Sequence, residues 1–210
     1  MADLVPPDID RYVRELLPAR EPVLAEMEAF AAEHDVPIVG PAVGTLLQIL
    51  TRSIGADRVF ELGSAIGYST AFFAQAVGRG GQVFYTDGNP ANAERARGYL
   101  ERMDLADRVT IRVGDAVASL EAATGYFDVI FIDVDKEGYP QALQAAAPRV
   151  RRGGYLLADN VLWSGRVVDA QVRDAATEGI RQFNRRLFSL QEFRTVILPL
   201  RDGVAIARRE

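Results

Sequence analysis

The stretch Arg58–Thr70, which reads RVFELGSAIGYST, decides the fold. A short apolar run ends at Gly63, and a helical pattern of small residues opens after Gly67. Together they predict a strand, a tight turn and a helix start. This junction suits a bound cofactor, although an ordinary strand-to-helix turn can carry the same two glycines. The third glycine of the dinucleotide motif is absent, and no Gly-Lys-Ser/Thr follows for a nucleoside triphosphate.

Composition narrows the class of protein. The chain has 210 residues, of which 49% are hydrophobic and 25% charged, and these values predict one domain over 1–210 with a substantial core. The net charge of −5 provides no overall positive field for a polyanion, so we expect no nucleic-acid partner. The absence of cysteine excludes disulfides, thiolate metal sites and a cysteine nucleophile. It also fits a reducing compartment, and we expect a cytoplasmic protein.

The sequence also argues against a catalytic histidine and against a membrane-spanning segment. The one histidine, His34, lies between Glu33 and Asp35 at the end of a helical pattern. A solvated helix terminus is therefore a better interpretation than the base of a Ser-His-Asp hydrolase. No apolar run approaches the ~20 residues of a membrane span. The N-terminal Met1–Asp10 also lacks the basic and then apolar order of a secretory leader, so we expect no membrane partner.

The chain divides into N-terminal helices over 1–40 and an alternating core over 41–210. Apolar residues at helical spacing predict two amphipathic helices in the first part and a third from about Pro41 to Ile54. Five apolar runs then alternate with helical segments: VFEL, QVFYTD, VTIRV, FDVIFID and GYLLADN. Strands that are apolar on both sides, with helices between them, predict a parallel sheet covered on both faces.

The ends of these elements carry their own signals. Gly80-Gly81 and Gly153-Gly154 are typical of left-handed helix ends before a strand. A last helix is predicted from about Asp169 to Phe188. Beyond it, FRTVILPL and VAIARR flank Arg201-Asp202-Gly203, which indicates a hairpin. The predicted fold is therefore a doubly wound α/β sheet of seven strands, mostly parallel and closed by an antiparallel hairpin.

Carboxylates follow four of the predicted strands, namely Glu61, Asp87, Asp133 with Asp135, and Asp159. Any one of them could cap the next helix. Asp87 lies 20 residues beyond Gly67, where a carboxylate can accept both ribose hydroxyls of a bound nucleoside. Because Asn89-Pro90 can start the next helix, Asp87 is free for such a role.

Asp133, Asp159 and Asn160 lie at the ends of strands that should be neighbours. Two carboxylates and an amide oxygen suit Mg²⁺ or Ca²⁺ rather than zinc, which prefers nitrogen and sulfur ligands. Without a cation the clustered carboxylates would repel one another. Lys136, three residues beyond Asp133, is either a solvated helix-start lysine or a base beside a metal-held hydroxyl.

Five motifs in this order and spacing carry a family resemblance: FELGSAIGYST, TDGNP, VGDA, FIDVDKEGY and LADNVLWSGRV. They resemble the cation-dependent, S-adenosylmethionine-using O-methyltransferases, which include catechol and caffeoyl-coenzyme A O-methyltransferases. The similarity extends from about Val39 to the C-terminus and is closest to the small bacterial branch. It implies a class I, Rossmann-like methyltransferase fold.

The resemblance also implies site residues. Those around S-adenosylmethionine would be Val39, Glu61, Gly63, Ser64, Tyr68, Ser69, Asp87, Ala116, Asp133 and Asp135. Asp133, Asp159 and Asn160 would be the metal ligands, with Mg²⁺ expected first and Ca²⁺ or Mn²⁺ as alternatives. Lys136 and Asp133 would be catalytic, and Trp163 with Lys136 would lie near the substrate.

These expectations combine into a function. A catechol hydroxyl chelated to a divalent cation forms its oxyanion readily, and Lys136 can take or share the departing proton. We therefore expect methylation of a small aromatic vicinal diol, in an enzyme that forms a homodimer. A nicotinamide-dependent oxidoreductase or a methyltransferase of another acceptor class stays open as the alternative.

Overall fold

Seven strands and eight α-helices make up the part of the chain that the computed structural model describes, residues 5–210. Residues 1–4, the start of the stretch in which no leader is expected, lie outside it. The strands are β1 (Arg58–Leu62), β2 (Gln82–Asp87), β3 (Val109–Val113), β4 (Phe127–Ile132), β5 (Val150–Ala158), β6 (Phe193–Leu198) and β7 (Val204–Arg209). The helices are α1 (Pro7–Leu16), α2 (Pro22–Glu33), α3 (Gly40–Ser53), α4 (Tyr68–Ala76), α5 (Pro90–Arg102), α6 (Ala116–Ala122), α7 (Tyr139–Ala146) and α8 (Ala175–Ser189).

The strands form one sheet in the order β3-β2-β1-β4-β5-β7-β6. The pairs from β3 to β5 are parallel, whereas β7 is antiparallel to both β5 and β6. The predicted doubly wound sheet with a C-terminal hairpin is therefore confirmed. The order reverses between β1 and β4, and a sheet of this type binds its ligands beyond the carboxyl ends of the strands at that point.

Helices cover both faces of the sheet, as the apolar strands predict. Alternate strand residues point to opposite sides, so Val59 joins the core under α2 to α5 while Phe60 joins the core under α6 to α8. Both side chains are fully buried. Helix α1 differs from the other seven because none of its residues is buried.

The two glycines of the opening motif hold backbone together at this crossover point. Gly63 has φ +85°, and a Cβ there would overlap the backbone carbonyl of Asp133 at the end of β4. Gly67 has φ +83°, and its Cβ would stand 2.8 Å from Cβ of Ala96 in α5. Both conformations are cheap for glycine alone. The turn therefore brings the ends of β1 and β4 into direct backbone contact.

Two boundary predictions are wrong. Gly153 has the predicted left-handed φ of +77°, but it lies inside β5, where the pairing with β4 jumps from Phe127↔Val150 to Val129↔Tyr155. The glycine lies in a bulged part of the strand and not at a helix end, since β5 advances five residues here while β4 advances two.

The last helix begins at Ala175 and not at Asp169. Asp174 is its N-cap and accepts hydrogen bonds from the backbone N–H and the hydroxyl of Thr177 at 3.0 and 2.8 Å. The preceding segment 163–172 contains a short 3₁₀ stretch and is held by Arg181 of α8. The Arg181 guanidinium donates to the backbone carbonyls of Arg166, Val167, Asp169 and Val172.

Candidate active site

A cavity of about 1100 Å³ lies at the carboxyl ends of β1, β2, β3 and β4. The predicted site residues that line it are Val39, Gly63, Ser64, Tyr68, Ser69, Asp87, Ala116, Asp133, Asp135, Lys136, Asn160 and Trp163. The two other predicted residues are buried beside it: Glu61 lies behind the glycine turn, and Asp159 borders a second, smaller cavity. The fold thus collects residues from distant parts of the chain into one place.

Asp87 is fixed at the edge of the large cavity by three donors. Its Oδ2 accepts from the backbone N–H of Ala65 at 3.0 Å, and its Oδ1 accepts from Asn89 N at 2.8 Å and Asn92 Nδ2 at 3.1 Å. Asn89 is the N-cap of α5, which leaves Asp87 free of that task. Three hydrogen bonds to one carboxylate fix the direction in which it points.

Glu61 supports the turn from behind. Its side chain is fully buried, and its Oε2 accepts hydrogen bonds from the hydroxyls of Ser64 and Thr70. Its other oxygen has no hydrogen-bond partner within residues 5–210. Burial raises the pKa of this carboxyl to about 7, against the lowering effect of the hydroxyls.

The acidic half of the site lies at the ends of β4 and β5. Asp159 is only 2% exposed, and its Oδ1 has no hydrogen-bond partner among the described residues. Burial, and then the charge of Asp133, raises the pKa of Asp159 to about 7. Asn160 follows with a left-handed backbone, φ +55°. An orphaned buried oxygen next to a second carboxylate and an amide fits a hard divalent cation, which would satisfy all three.

Nitrogen and sulfur ligands do not contribute to this donor set. Within residues 5–210, no group of three His, Cys, Asp or Glu side chains is arranged to hold a metal ion. The candidate metal site therefore depends on the amide of Asn160 as its third donor. Oxygen-only coordination of this kind suits Mg²⁺, Ca²⁺ or Mn²⁺.

Lys136 lies beside this acidic half. Its Nζ donates to Asp133 Oδ1 at 2.8 Å, to the carbonyl of Val134 at 3.2 Å and to the hydroxyl of Tyr139 at 3.1 Å. Nζ also stands 5.8 Å from the centre of the Trp163 ring. The Nζ group is therefore oriented by three oxygens at the cavity wall, next to the predicted substrate residue.

Tyr139 is a site residue that the sequence analysis missed. It is fully buried, accepts from Lys136 and donates to the backbone carbonyl of Asp159 at 2.8 Å. Burial and the two nearby aspartates raise its pKa well above the usual value, so it stays a neutral donor. The signal was its place three residues after Lys136, which puts both side chains on one helical turn.

Gly179 of α8 was missed as well. A Cβ at this position would overlap the backbone carbonyl of Lys136, so the absence of a side chain lets α8 lie directly on the turn that carries the lysine. Nothing in the local sequence distinguishes this glycine from an ordinary small residue in a helix. Asn92, which orients Asp87, gave no signal either.

A second cavity of about 370 Å³ lies on the other side of the acidic half. It is lined by Asp133, Asp159 and Asn160, by residues of α1, α2 and the start of α3, and by Arg201 of the hairpin turn. The segment 36–38 borders both cavities. In the sequence, Arg201 belonged only to a turn signal, and its position in a cavity wall was not foreseen.

His34 has the place that the sequence predicts. It caps the C-terminal end of α2, is exposed, and stacks on Phe30 with the ring centres 4.1 Å apart. It lines neither cavity. In the part of the chain from residue 5 onward, no helix is both long and apolar enough to cross a bilayer.

Comparison with known proteins identifies the family of the chain. Residues 15–210 match the O-methyltransferase family. A catechol O-methyltransferase of Niastella koreensis is 33% identical over 210 aligned residues, covering 95% of each chain. A catechol O-methyltransferase of Mycobacterium tuberculosis is 36% identical over 180 residues, covering 84% of this chain and 81% of the relative.

Solved structures give the same result. The O-methyltransferase from Bacillus cereus, crystallised in complex with SAH, superposes with a TM-score of 0.88 at 31% identity and covers 97% of each chain. This agreement favours methyl transfer over the nicotinamide alternative that the sequence left open. The chain belongs to the O-methyltransferase family.

Proposed function

We propose that this O-methyltransferase uses S-adenosylmethionine and a divalent cation to methylate one hydroxyl of an aromatic vicinal diol. Mg²⁺ is the first candidate, with Ca²⁺ or Mn²⁺ as alternatives. The proposal depends above all on the buried Asp159, whose Oδ1 has no partner among the described residues and whose neighbours are Asp133 and Asn160. The Bacillus cereus relative bound to SAH and the two relatives named for catechol support the cofactor and the acceptor class.

The cofactor side of the proposal involves the glycine turn. Ser64, Tyr68 and Ser69 line the cavity beside Gly63, where they would surround the amino-acid end. Asp87, fixed by its three donors, would accept the ribose hydroxyls. Ala116 lies further along the same wall and would contact the adenine, while Val39 and Asp135 complete the proposed set. Glu61 would act through Ser64 and Thr70 rather than by contact.

The chemical step assigns separate tasks to the acidic residues and the lysine. When bound, the cation would favour the oxyanion of the acceptor hydroxyl, and the sulfonium would supply the methyl group by in-line displacement. The side-chain oxygens of Asp133, Asp159 and Asn160 would hold the cation and thereby fix the position of the acceptor. Lys136, already oriented by Asp133 and Tyr139, would take or share the hydroxyl proton with its Nζ in the free-amine form. Trp163 forms part of the wall against which the aromatic ring would lie.

We also propose that residues 1–210 form one methyltransferase domain and that it assembles as a homodimer. The continuous sheet and the family match over 15–210 support the first point. Ile9, Tyr12 and Leu16 of α1 are 49%, 60% and 67% exposed, which leaves apolar surface for a second copy. Sedimentation as a 23.0 kDa monomer at micromolar concentration would contradict the dimer. A cytoplasmic location stays a prediction from the sequence.

The direct test is turnover of a catechol with S-adenosylmethionine. Metal-stripped protein in excess chelator should bind S-adenosylmethionine in a calorimeter but release no methylated product, and added Mg²⁺ should restore turnover. Full activity in chelator would refute the metal dependence. Metal-dependent activity on a monophenol but not on a vicinal diol would refute the acceptor class.

A further inference from the structure

The second cavity offers room next to the proposed acceptor oxygens. It shares Asp133, Asn160 and the segment 36–38 with the large cavity. An acceptor whose hydroxyls reach Asp133 and Asn160 can therefore extend its far end into this space of about 370 Å³. That volume falls within the size range of small-ligand pockets, about 300–1,000 Å³.

The charges around this cavity are unequally partnered. Arg14 of α1 is paired with Asp10 at 2.6 Å, and both line the cavity. Glu28 of α2, another lining residue, is paired with Arg20 at 2.9 Å and accepts from the hydroxyl of Tyr68 at 2.7 Å. These three ionic side chains of the helical wall already have opposite charges beside them.

Arg201 differs from the cations of that wall. Its Nη1 donates to the backbone carbonyl of Ile38 at 2.8 Å, and within residues 5–210 it forms no ion pair with a carboxylate. The guanidinium lies over Gly40, where a Cβ would stand 3.0 Å from Nη1. The adjacent carboxylate of Asp202 accepts from the backbone N–H of Ser164 and is not part of the cavity lining.

The proposed cation adds weight to this imbalance. A divalent charge would offset Asp133 and Asp159, and among the described charges that line the second cavity this would leave the positive charge of Arg201 in excess. An acceptor that carries its own negative charge at the far end would neutralise that excess. A guanidinium fork is well matched to a carboxylate, which it can bind through two parallel hydrogen bonds.

We propose that Arg201 selects acceptors bearing a carboxylate, so that the preferred substrate is an aromatic vicinal diol acid whose acid group enters the second cavity. This proposal rests on the proposed function, since it takes the diol to lie at Asp133 and Asn160. Arg201 is then a specificity-determining residue that binds the end of the acceptor remote from its hydroxyls.

The test compares two acceptors that share a ring and differ in charge, 3,4-dihydroxybenzoate and 3,4-dihydroxybenzyl alcohol. Kinetics are measured for the wild type, Arg201→Gln, Arg201→Lys and the control Arg97→Gln. Arg97 pairs with Glu94 on the exposed side of α5, lines neither cavity, and its loss changes the net charge by the same amount. Binding of both compounds is also measured by calorimetry in the presence of Mg²⁺ and S-adenosylhomocysteine.

Arg201→Gln should raise KM and Kd for the benzoate by about tenfold or more and leave those for the alcohol within about twofold. Arg201→Lys should recover part of the benzoate affinity, and the control should change neither compound. Equal losses for both acceptors would show that Arg201 only holds the Ile38 carbonyl, and would overturn the proposal. Unchanged benzoate affinity would overturn it as well.

The two proposals fail in different ways. If the benzoate binds through Arg201 but no acceptor is methylated, the proposed function is wrong and the anion site stands. If both acceptors are methylated with the same dependence on Arg201, the proposed function stands and the anion site is wrong.

Discussion

The two halves of the site are built by different means. At the ends of β1 and β2 the backbone forms most of the site. Glycines permit the turn, and Asp87 accepts hydrogen bonds from two backbone N–H groups and one side-chain amide. At the ends of β4 and β5, side chains face one another, and a buried oxygen of Asp159 lacks a partner among residues 5–210. Both oxygens of Asp87 have partners before any ligand binds, whereas the buried oxygen of Asp159 would gain one from an added positive charge.

Glu61 makes this comparison sharper, because it also is a buried carboxylate with a raised pKa and one oxygen without a described partner. It differs from Asp159 in its surroundings. Hydroxyls surround its other oxygen, and it lines neither cavity. A proton can relieve Glu61, whereas a cation shared with Asp133 and Asn160 suits Asp159. Variants of the two residues distinguish these two ways of neutralising a buried charge.

The largest effect is expected for Asp159→Ala, which removes the most buried of the proposed metal ligands. Turnover of a catechol should fall by about 10⁴-fold, since a bound cation contributes several kcal/mol to the transition state. Calorimetry should show that Mg²⁺ binding is lost while S-adenosylmethionine still binds. Retained Mg²⁺ affinity in this variant would remove Asp159 from the metal site and with it the contrast between the halves.

Lys136→Ala should lower kcat by about 10²–10⁴-fold, the usual contribution of a positioned acid or base. Because the lysine is not a proposed ligand, Mg²⁺ affinity should change little. Tyr139→Phe is the matched control: it keeps the ring and removes one of the three oxygens around Nζ, so its loss should be smaller. A normal kcat in Lys136→Ala would confine the error to the identity of the base.

Glu61→Gln tests whether a proton neutralises the buried carboxylate in the half of the site at β1 and β2. The folded-state pKa of Glu61, about 7, lies above its ordinary 4.5, so the folded protein keeps this proton longer than the unfolded chain. Wild-type stability should therefore be full below pH 4.5 and fall as pH rises toward 7, by about 3 kcal/mol from this group. The variant should lack that fall, so the difference between the two proteins grows with pH.

Urea unfolding at pH 4 and pH 8 measures this difference, with and without Mg²⁺. The cation should reduce the Glu61 contribution only slightly, because burial is the largest cause of the raised pKa of Glu61 and the charge of Asp133 is the smallest. The difference in stability between the wild type and Glu61→Gln should depend on pH both with and without Mg²⁺. If that pH dependence disappears when Mg²⁺ is added, the cation neutralises Glu61 as well as Asp159, and the two halves are not separate.

The smallest effect is expected for Asp87→Ala, which should weaken S-adenosylmethionine binding by roughly 1–3 kcal/mol. Asn92→Ala removes one donor to the same carboxylate and should cost less. Mg²⁺ binding should be unaffected in both variants. Unchanged S-adenosylmethionine affinity in Asp87→Ala, measured by calorimetry, would take Asp87 out of the cofactor site.

The sequence predicted those site residues that lie directly at the end of a strand. Gly63, Asp87, Asp133 and Asp159 each follow a continuous apolar run, and parallel strands bring such ends to one edge. The structure places Asp133 and Asp159 in the wall of the same second cavity. These predictions needed only local patterns and a general rule about sheets.

Residues that act through packing between distant elements were not predictable in this way. The meaning of Gly179 depends on a backbone carbonyl more than forty residues earlier, and Arg201 reaches Ile38 from the opposite end of the chain. The start of α8 was misplaced because helical spacing continued back through Asp169, while Asp174 supplied the cap. Gly153 was misread because a left-handed glycine is common to helix ends and bulges.

Arg181 has a consequence for how this enzyme could change its substrate. It holds the segment between Trp163 and α8 through backbone carbonyls, which every amino acid possesses. Apart from Arg166, which pairs with Asp174, and Asp169, whose side chain accepts from Gln171 N, the side chains along 166–172 can therefore be exchanged without removing the bonds that anchor the segment. A region beside the proposed acceptor wall is thus free to diversify in sequence while its path stays the same, which makes it a natural place to graft new acceptor preferences.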